Sequence, residues 1–144
     1  MADHLTSEQR SRAMSRVKLK DGPLETIIRS ELHRRGYRFR KHVKALPGSP
    51  DAVFPKEKIA IFIDGDFWHG YRFSQWEHKL KEFWKNKIKE NIQRDQKNFR
   101  KLRRMGWRVI RVWQHEIKND PETCIVKIVA AVEEARSMKD TEMR

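Results

Sequence analysis

The sequence contains one cysteine, Cys124, in 144 residues, so no disulfide bond can form within the chain. No apolar run comes near the roughly 20 residues that a membrane span requires, and no signal-peptide pattern opens the chain. Acidic residues are also scarce, because 20 Asp and Glu stand against 33 Lys and Arg, for a formal net charge of +13. These deficits argue against a disulfide-stabilised secreted protein and against a membrane-spanning protein. They favour a cytoplasmic protein that binds a polyanion, with nucleic acid as the first expectation.

Hydrophobic periodicity and turn-forming residues predict a mixed α/β fold with elements in the order α-α-β-β-β-α-β-α. The predicted helices cover residues 6–17 and 23–35, residues 80–105 as one helix or a broken pair, and the segment from Pro121 onward, while the predicted strands cover residues 37–43, 51–54, 59–63 and 107–113. We therefore expect a single domain over residues 1–144. It should carry a basic N-terminal segment (1–22) that contacts DNA and a polar tail (139–144).

The segment that follows the predicted buried strand at residues 59–63 concentrates reactive side chains. It reads Asp64-Gly65-Asp66-Phe67-Trp68-His69, so two carboxylates, two large aromatic rings and an imidazole follow one strand end. A strand end is rigid and can hold such side chains in fixed positions. Adjacent side chains of an extended segment point in opposite directions, so we expect one of the two aromatic rings to face solvent or a ligand.

Asp51 and Ile63 are twelve residues apart and are separated by a tight turn, which is the length of an antiparallel hairpin. Asp51 should therefore lie close to the backbone of Ile63 and to the side chains of Asp64 and Asp66. Carboxylate and carbonyl oxygens in one place suit Mg²⁺, so Asp51, the Ile63 main-chain carbonyl and Asp64 are candidate metal ligands. The alternatives are structural, since Asp51 can be a turn or capping residue and Asp64-Gly65 a plain turn.

His69 and Glu25 are candidate catalytic residues beside the same site. His69 is near enough to accept a proton from the attacking water, and Glu25, in the first turn of the second predicted helix, can supply a further contact. A lone histidine is more often a packing residue, and this alternative stays open. The other histidines show no ligand spacing, and we expect them at the surface: His4, His33, His42, His78 and His115.

Residues 79–104 carry eleven Lys or Arg residues against three acidic ones, beside an apolar helical stripe. Such a face either follows DNA phosphates or is simply solvated. Trp84, near its start, either contacts DNA or belongs to the core. Asp95 lies close to the apolar stripe and needs a donor, for which His69, a backbone N–H or an ion pair are the options.

Four motifs resemble the very-short-patch repair (Vsr) endonuclease family, and the resemblance covers residues 11–116. The motifs are Leu46-Pro47-Gly48-Ser49-Pro50-Asp51, then Asp64-Gly65-Asp66-Phe67-Trp68-His69, then Glu82-Phe83-Trp84 with Lys87, Asn91, Arg94 and Asp95, and finally Gly106-Trp107-Arg108-Val109 with Trp113. The resemblance implies a restriction-endonuclease-like fold of the PD-(D/E)xK type. It also implies a monomeric enzyme of the bacterial cytoplasm that nicks double-stranded DNA at a T:G mismatch and requires Mg²⁺, with two ions expected.

The resemblance also implies roles for individual residues. The aspartate matching Asp51 holds the metal together with the main-chain carbonyl matching Ile63, the histidine matching His69 activates water, and the glutamate matching Glu25 assists. The implied wedge into DNA consists of aromatic residues, the minor groove receives a methionine, and two polar residues read the mismatched pair. The matching residues are Phe67, Trp68 and Trp84 for the wedge, Met14 for the minor groove, and Lys87 and Asn91 for the mismatched pair.

The chain departs from the family at the structural zinc site. The positions that carry cysteine and histidine ligands in the family are Asp66, Tyr71, Phe73 and His115 here. A closed structural site needs four well-placed N or S donors, so we expect no zinc, and Tyr71 and Phe73 instead offer apolar surface to fill the space.

Two other functions remain as alternatives to mismatch nicking. One is a restriction or mobile-element endonuclease of the same fold that cuts fully paired DNA. The other is a non-catalytic DNA-binding protein that uses its aromatic residues as intercalating wedges.

Overall fold

The computed structural model describes residues 22–142, so Met14 and the helix predicted over residues 6–17 lie outside it. The elements, in chain order, are helix α1 (Pro23–Arg34), strands β1 (Arg40–Lys41), β2 (Ala52–Phe54) and β3 (Ile59–Asp64), the one-turn helix α2 (Phe73–Trp76), a 3₁₀ turn (Glu77–Lys79), helix α3 (Glu82–Arg104), strand β4 (Arg108–Trp113), and helices α4 (Gln114–Asn119) and α5 (Pro121–Glu142). Among the helices of these residues, none combines the length and the apolar character needed to cross a bilayer.

The four strands of this region form one mixed sheet in the order β1-β2-β3-β4. β1, β2 and β3 pair antiparallel, and Ala52 lies opposite Ile61. β3 and β4 pair in parallel, which requires a long crossover, and α2 and α3 supply it. The predicted mixed α/β architecture with helices flanking the sheet is therefore confirmed.

One side of the sheet, here called the apolar face, is defined by Ile59, Ile61, Ile110 and Val112 and is almost completely buried. It packs under aliphatic residues of α1 and α5, which are Ile28, Leu32, Ile125, Ile128 and Val132. Burying each large aliphatic side chain contributes roughly 1.5–3 kcal/mol, so this face is the main source of stability.

The opposite side, here called the α3 face, is apolar at one end only. Ala60 and Phe62 of β3 pack against Phe99 and Leu102 of α3. Further along the same face, Arg111 of β4 pairs with Asp64 of β3 and with Asp95 of α3. The sheet therefore brings charged side chains together at the carboxyl end of β3.

Several element boundaries differ from the sequence prediction. The strand predicted over residues 37–43 is reduced to β1, and His42 directly after it takes a left-handed conformation (φ 47°). The segment 80–105 is one unbroken helix rather than a pair. Helix α4 was not predicted, and its first turn is closed by the Glu116 carboxylate, which accepts the Trp113 N–H at 3.0 Å. Helix α5 runs to Glu142, so most of the predicted tail is helical.

Candidate active site

Asp51 lies beside the carboxyl end of β3, as the hairpin spacing predicts. Its backbone N–H donates to the carbonyl of Ile61 at 2.9 Å. Its Oδ2 accepts a hydrogen bond from the backbone N–H of Ile63 at 2.7 Å. The predicted closeness of Asp51 to the Ile63 backbone is confirmed, and this hydrogen bond fixes the orientation of the carboxylate.

The predicted single cluster of Asp51, Asp64 and Asp66 is not what the structure shows. Asp51 and Asp64 belong to two different groups of candidate metal-binding side chains. Successive side chains of a strand point to opposite faces, and Asp64 accordingly pairs with Arg111 on the α3 face. Asp66 pairs with His115, whose Nδ1 lies 2.7 Å from the Asp66 Oδ1. The carboxylates of Asp51, Asp64 and Asp66 therefore have three different sets of partners.

The group around Asp51 contains Glu25 and His42, and one ligand atom from each lies within 4.8 Å of the others. Glu25 is 9% exposed and pairs with Arg29 at 3.2 Å, one turn along α1. The expectation that His42 lies at the surface is wrong, because it is half-buried and its N–H donates to the Asp51 carbonyl at 3.3 Å. The strand register contained the missed signal. Lys41 pairs with Ala52, which places the next residue, His42, opposite Asp51.

The second group surrounds the imidazole of His69, which is 4% exposed. Its Nδ1 lies 2.7 Å from Oδ2 of Asp95, and its Nε2 lies 3.3 Å from Oδ1 of Asp64. His69 was one of the predicted partners of Asp95, and this contact is confirmed. Arg111 was not identified from sequence, and its guanidinium binds the same two carboxylates at 2.8 and 2.9 Å. A basic residue between the apolar positions of β4 was its only signal.

A cavity of about 360 Å³ opens between the start of α1 and the end of β3. Its lining includes six of the residues named from sequence, which are Glu25, Ile63, Asp64, Phe67, Trp68 and His69. The lining residues are Gly22, Pro23, Leu24, Glu25, Ile63, Asp64, Gly65, Phe67, Trp68, His69 and Gln114. Two acids, an imidazole and two aromatic rings thus line one cleft.

The aromatic residues at this cleft form a contiguous cluster. Phe67 is 38% exposed, and its ring stacks on Trp76 with centroids 5.6 Å apart and planes 17° apart. Trp68 is half-buried and meets Trp84 edge to face at 6.2 Å. Of the two adjacent rings, Phe67 is therefore the one that faces solvent. Trp84 is only 7% exposed, so it supports the cluster from below, and Trp76 was not identified from sequence.

The loop that carries Trp68 and His69 is held against α3. The side-chain amide of Asn91 donates to the Trp68 carbonyl at 3.1 Å, and Asn91 is 7% exposed. Gly70 has φ 71°, and a Cβ there would lie 2.5 Å from Ile92, so only glycine permits this close approach. Lys87, the other residue predicted to read bases, is half-buried on the same helix.

The residues at the positions of the family's zinc ligands contact one another or a neighbouring aromatic ring. His115 pairs with Asp66, and its ring lies 4.3 Å from the ring of Tyr71 between centroids. Phe73 instead packs edge to face on Trp76 at 5.2 Å. These contacts link the loop after β3 to the start of α4.

Helix α3 separates its charges from its apolar residues. Trp84, Ile88, Phe99 and Leu102 are buried, whereas the following basic residues are exposed: Lys89, Arg94, Lys97, Arg100, Lys101, Arg103 and Arg104. The helix therefore presents a basic surface on the outside of the α3 face.

Comparisons with known proteins find a matching family and several similar sequences. Residues 2–75 match the family described as DNA mismatch endonuclease Vsr. The type II nicking enzyme V.XorIIP of Xanthomonas oryzae pv. oryzae is 43% identical over 83% of this chain and 89% of its own. The type II nicking enzyme V.NmeDIP of Neisseria meningitidis serogroup C is 34% identical over 99% of this chain and 98% of its own. The DNA mismatch endonuclease Vsr of Escherichia coli K12 is 34% identical over 79% of this chain and 74% of its own.

Proposed function

Because this chain belongs to the DNA mismatch endonuclease Vsr family, we propose that it nicks double-stranded DNA at a T:G mismatch in a Mg²⁺-dependent reaction. Membership of the family makes it a DNA endonuclease, whereas the T:G substrate and the Mg²⁺ requirement are what we propose. We further propose a restriction-endonuclease-like fold and action as a monomer in the bacterial cytoplasm.

The observation that carries this proposal is the position of Asp51. Its carboxylate is anchored on the Ile63 backbone at 2.7 Å, within 4.8 Å of ligand atoms of Glu25 and His42. Glu25 and Ile63 line the same cleft as His69. A scissile phosphate in this cleft would meet a carboxylate site on one side and an imidazole on the other.

The donors around Asp51 fit Mg²⁺. Two carboxylates and the nearby carbonyl of Ile63 are hard oxygen ligands, which Mg²⁺ prefers and which it supplements with water and phosphate oxygens. When bound, Mg²⁺ supplies stabilisation of the negative charge that develops on the phosphate. Asp64 stays a predicted further ligand, although its Oδ2 already accepts a charge-assisted bond from Arg111. The expected number of ions is two.

The proton chemistry falls to His69. Asp95 at its Nδ1 fixes the plane of the imidazole. The proposed proton acceptor is therefore Nε2, which also lies 3.3 Å from Asp64 Oδ1. In the proposed reaction His69 accepts a proton from the attacking water. Glu25, held by Arg29, orients that water.

The surrounding surfaces suit a DNA duplex. The exposed Phe67, backed by Trp76, is proposed with Trp68 and the supporting Trp84 as a wedge beside the mismatch, where unstacking costs less than in paired DNA. The basic surface of α3 is proposed to bind phosphates. Lys87 and Asn91 are proposed to read the mismatched pair, and Met14 to enter the minor groove.

A nicking assay on duplexes that differ at one base pair tests this function. The parent protein should nick a duplex with a central T:G pair in Mg²⁺ and leave it intact in EDTA. Equal rates on T:G and fully paired duplexes would instead indicate a restriction or mobile-element endonuclease. Tight binding with no Mg²⁺-dependent nicking would indicate a non-catalytic intercalating protein.

A further inference from the structure

Arg111 occupies an unusual place for a basic residue in a strand. Its side chain is 18% exposed and points toward α3. The guanidinium carbon lies 4.1 Å from the ring centroid of Trp113 and 5.1 Å from that of Phe99. Stacking between two rings restricts the plane of the guanidinium and so fixes the directions of its N–H groups.

Two of those N–H groups bind two different carboxylates. Arg111 Nε donates to Asp64 Oδ2 at 2.8 Å, and Nη2 donates to Asp95 Oδ2 at 2.9 Å. Asp64 is 3% exposed, and the side chain of Asp95 is 13% exposed. Two carboxylates this deeply buried have lost their hydration and repel each other. A cation that bridges them offsets both costs.

The same two carboxylates contact the two ring nitrogens of His69, at 2.7 Å for Asp95 and 3.3 Å for Asp64. The four side chains therefore form a closed ring in which Arg111 and His69 each bridge Asp64 and Asp95. The imidazole can rotate only if a carboxylate moves, and each carboxylate is held by Arg111. The guanidinium also supplies the positive charge that a metal ion would bring to this group.

We propose that Arg111 is a positioning residue for His69 in phosphodiester hydrolysis. It acts by locking Asp64 and Asp95 so that the orientation of the imidazole is fixed, rather than by contacting the metal proposed near Asp51. The inference rests on the proposed function, because it assigns Arg111 to the activity of His69.

The test compares three variants with the parent. Arg111→Met keeps the apolar stem and removes the guanidinium, Arg111→Lys keeps the charge but cannot form the planar two-carboxylate bridge, and Arg108→Met is the matched control. Arg108 lies on the same strand, but it is exposed and forms a surface ion pair with Glu134. The measurements are the single-turnover nicking rate at saturating Mg²⁺ and T:G duplex, and the duplex dissociation constant.

Arg111→Met should lower the nicking rate by about ten- to a hundredfold, the usual cost of losing a residue that orients a functional side chain. Duplex affinity should stay unchanged, Arg111→Lys should recover little of the rate, and Arg108→Met should match the parent. If Arg111→Met does not fold, Arg111→Lys alone decides. A rate equal to the parent for Arg111→Lys, or equal losses for Arg111→Met and Arg108→Met, overturns the proposal.

A second readout needs neither DNA nor metal. In ¹⁵N-histidine NMR spectra of the free protein, the imidazole N–H of His69, assigned with His69→Gln, should be protected from exchange with water. That protection should be lost in Arg111→Met or Arg111→Lys and kept in Arg108→Met. An unchanged His69 signal in both Arg111 variants overturns the positioning role. This result is independent of whether the parent nicks T:G duplexes, so it is separable from a failure of the proposed function.

Discussion

The two faces of the sheet bury different kinds of side chain. The apolar face packs uncharged, mainly aliphatic residues against α1 and α5, and Ile59 and Ile61 on it are 0% exposed. The α3 face begins in the same way with Phe62 but ends in the ring of Asp64, His69, Asp95 and Arg111. The first arrangement is typical of a core, whereas the second places charge where it costs free energy.

The contrast between the two faces shows how the fold carries a reactive site without losing stability. Buried charges are tolerated when each is paired and hydrogen-bonded, and the ring closes so that both carboxylates have a cationic partner. Among the described residues, no buried side-chain N or O atom lacks a hydrogen-bond partner. Stability should therefore depend mainly on the apolar face, and activity on the carboxyl end of β3.

The largest expected effect belongs to Asp51. Asp51→Ala should lower the nicking rate by on the order of a thousandfold or more, because charge stabilisation at the phosphate is worth several kcal/mol of barrier. DNA affinity should change little, since the basic residues of α3 bind the phosphates. Single-turnover nicking and gel-shift titration measure the two quantities. A variant that nicks within about tenfold of the parent, a difference of only about 1.4 kcal/mol, contradicts the assignment.

The opposite pattern is expected on the apolar face. Ile61→Ala should lower the free energy of unfolding by about 2–5 kcal/mol, because it leaves a cavity in a fully buried site. The nicking rate per folded molecule should stay at the parent value. Denaturant unfolding and active-site titration check this, with Ile61→Val, expected to lose about 0.5–1.5 kcal/mol, as the graded control. A large rate loss at a temperature where the variant is folded would break the division between the faces.

The aromatic cluster lies between these extremes. Trp68→Ala should reduce the preference for T:G over paired duplex. Inserting a ring between base pairs costs a few kcal/mol of unstacking free energy, and this cost is lower at a mismatch. Trp107→Ala is the control, since Trp107 is also half-buried but packs at the far end of the α3 face. The ratio of nicking rates on the two duplexes is the measurement. A loss of stability with no change in that ratio would make Trp68 a packing residue.

The smallest effect, close to zero, is expected from removing metal from the free protein. Asp66 and His115 pair with each other, and Tyr71 and Phe73 offer no N or S donor. A chelator should therefore leave the melting temperature unchanged while it abolishes nicking through loss of Mg²⁺. One tightly bound zinc per chain in elemental analysis would contradict this.

The two faces also differ in how far the sequence predicts them. The apolar face follows from local patterns, because β-branched runs and helical spacing specify the buried residues of β3 and α5. The hairpin length likewise predicted the contact of Asp51 with Ile63. The ring of Asp64, His69, Asp95 and Arg111 on the α3 face could be predicted only in part. Its members come from β3, the following loop, α3 and β4, and no local period shows that Arg111 lies beside Asp64.

His42 illustrates the same limit at shorter range. Its distance from Asp51 depends on the register of β1 and β2 and on the left-handed turn at its own φ of 47°. Few residues other than glycine adopt that conformation, and although histidine does so more often than most, this preference is too weak to predict it. Pairing partners and backbone handedness are decided by tertiary packing rather than by local preference.

Metal titration can decide whether the cation binds beside Asp51 or beside Asp64. Mn²⁺, as a paramagnetic substitute for Mg²⁺, can be titrated by electron paramagnetic resonance into the parent, Asp51→Asn and Asp64→Asn in the presence of T:G duplex. Asp120→Asn removes the same charge from the exposed start of α5 and serves as the control. We expect Asp51→Asn to weaken Mn²⁺ binding by about tenfold or more, and Asp120→Asn to bind Mn²⁺ as the parent does. Undiminished Mn²⁺ binding by Asp51→Asn, with the loss confined to Asp64→Asn, would place the metal among Asp64, His69, Asp95 and Arg111 and would show that Asp51 does not hold it.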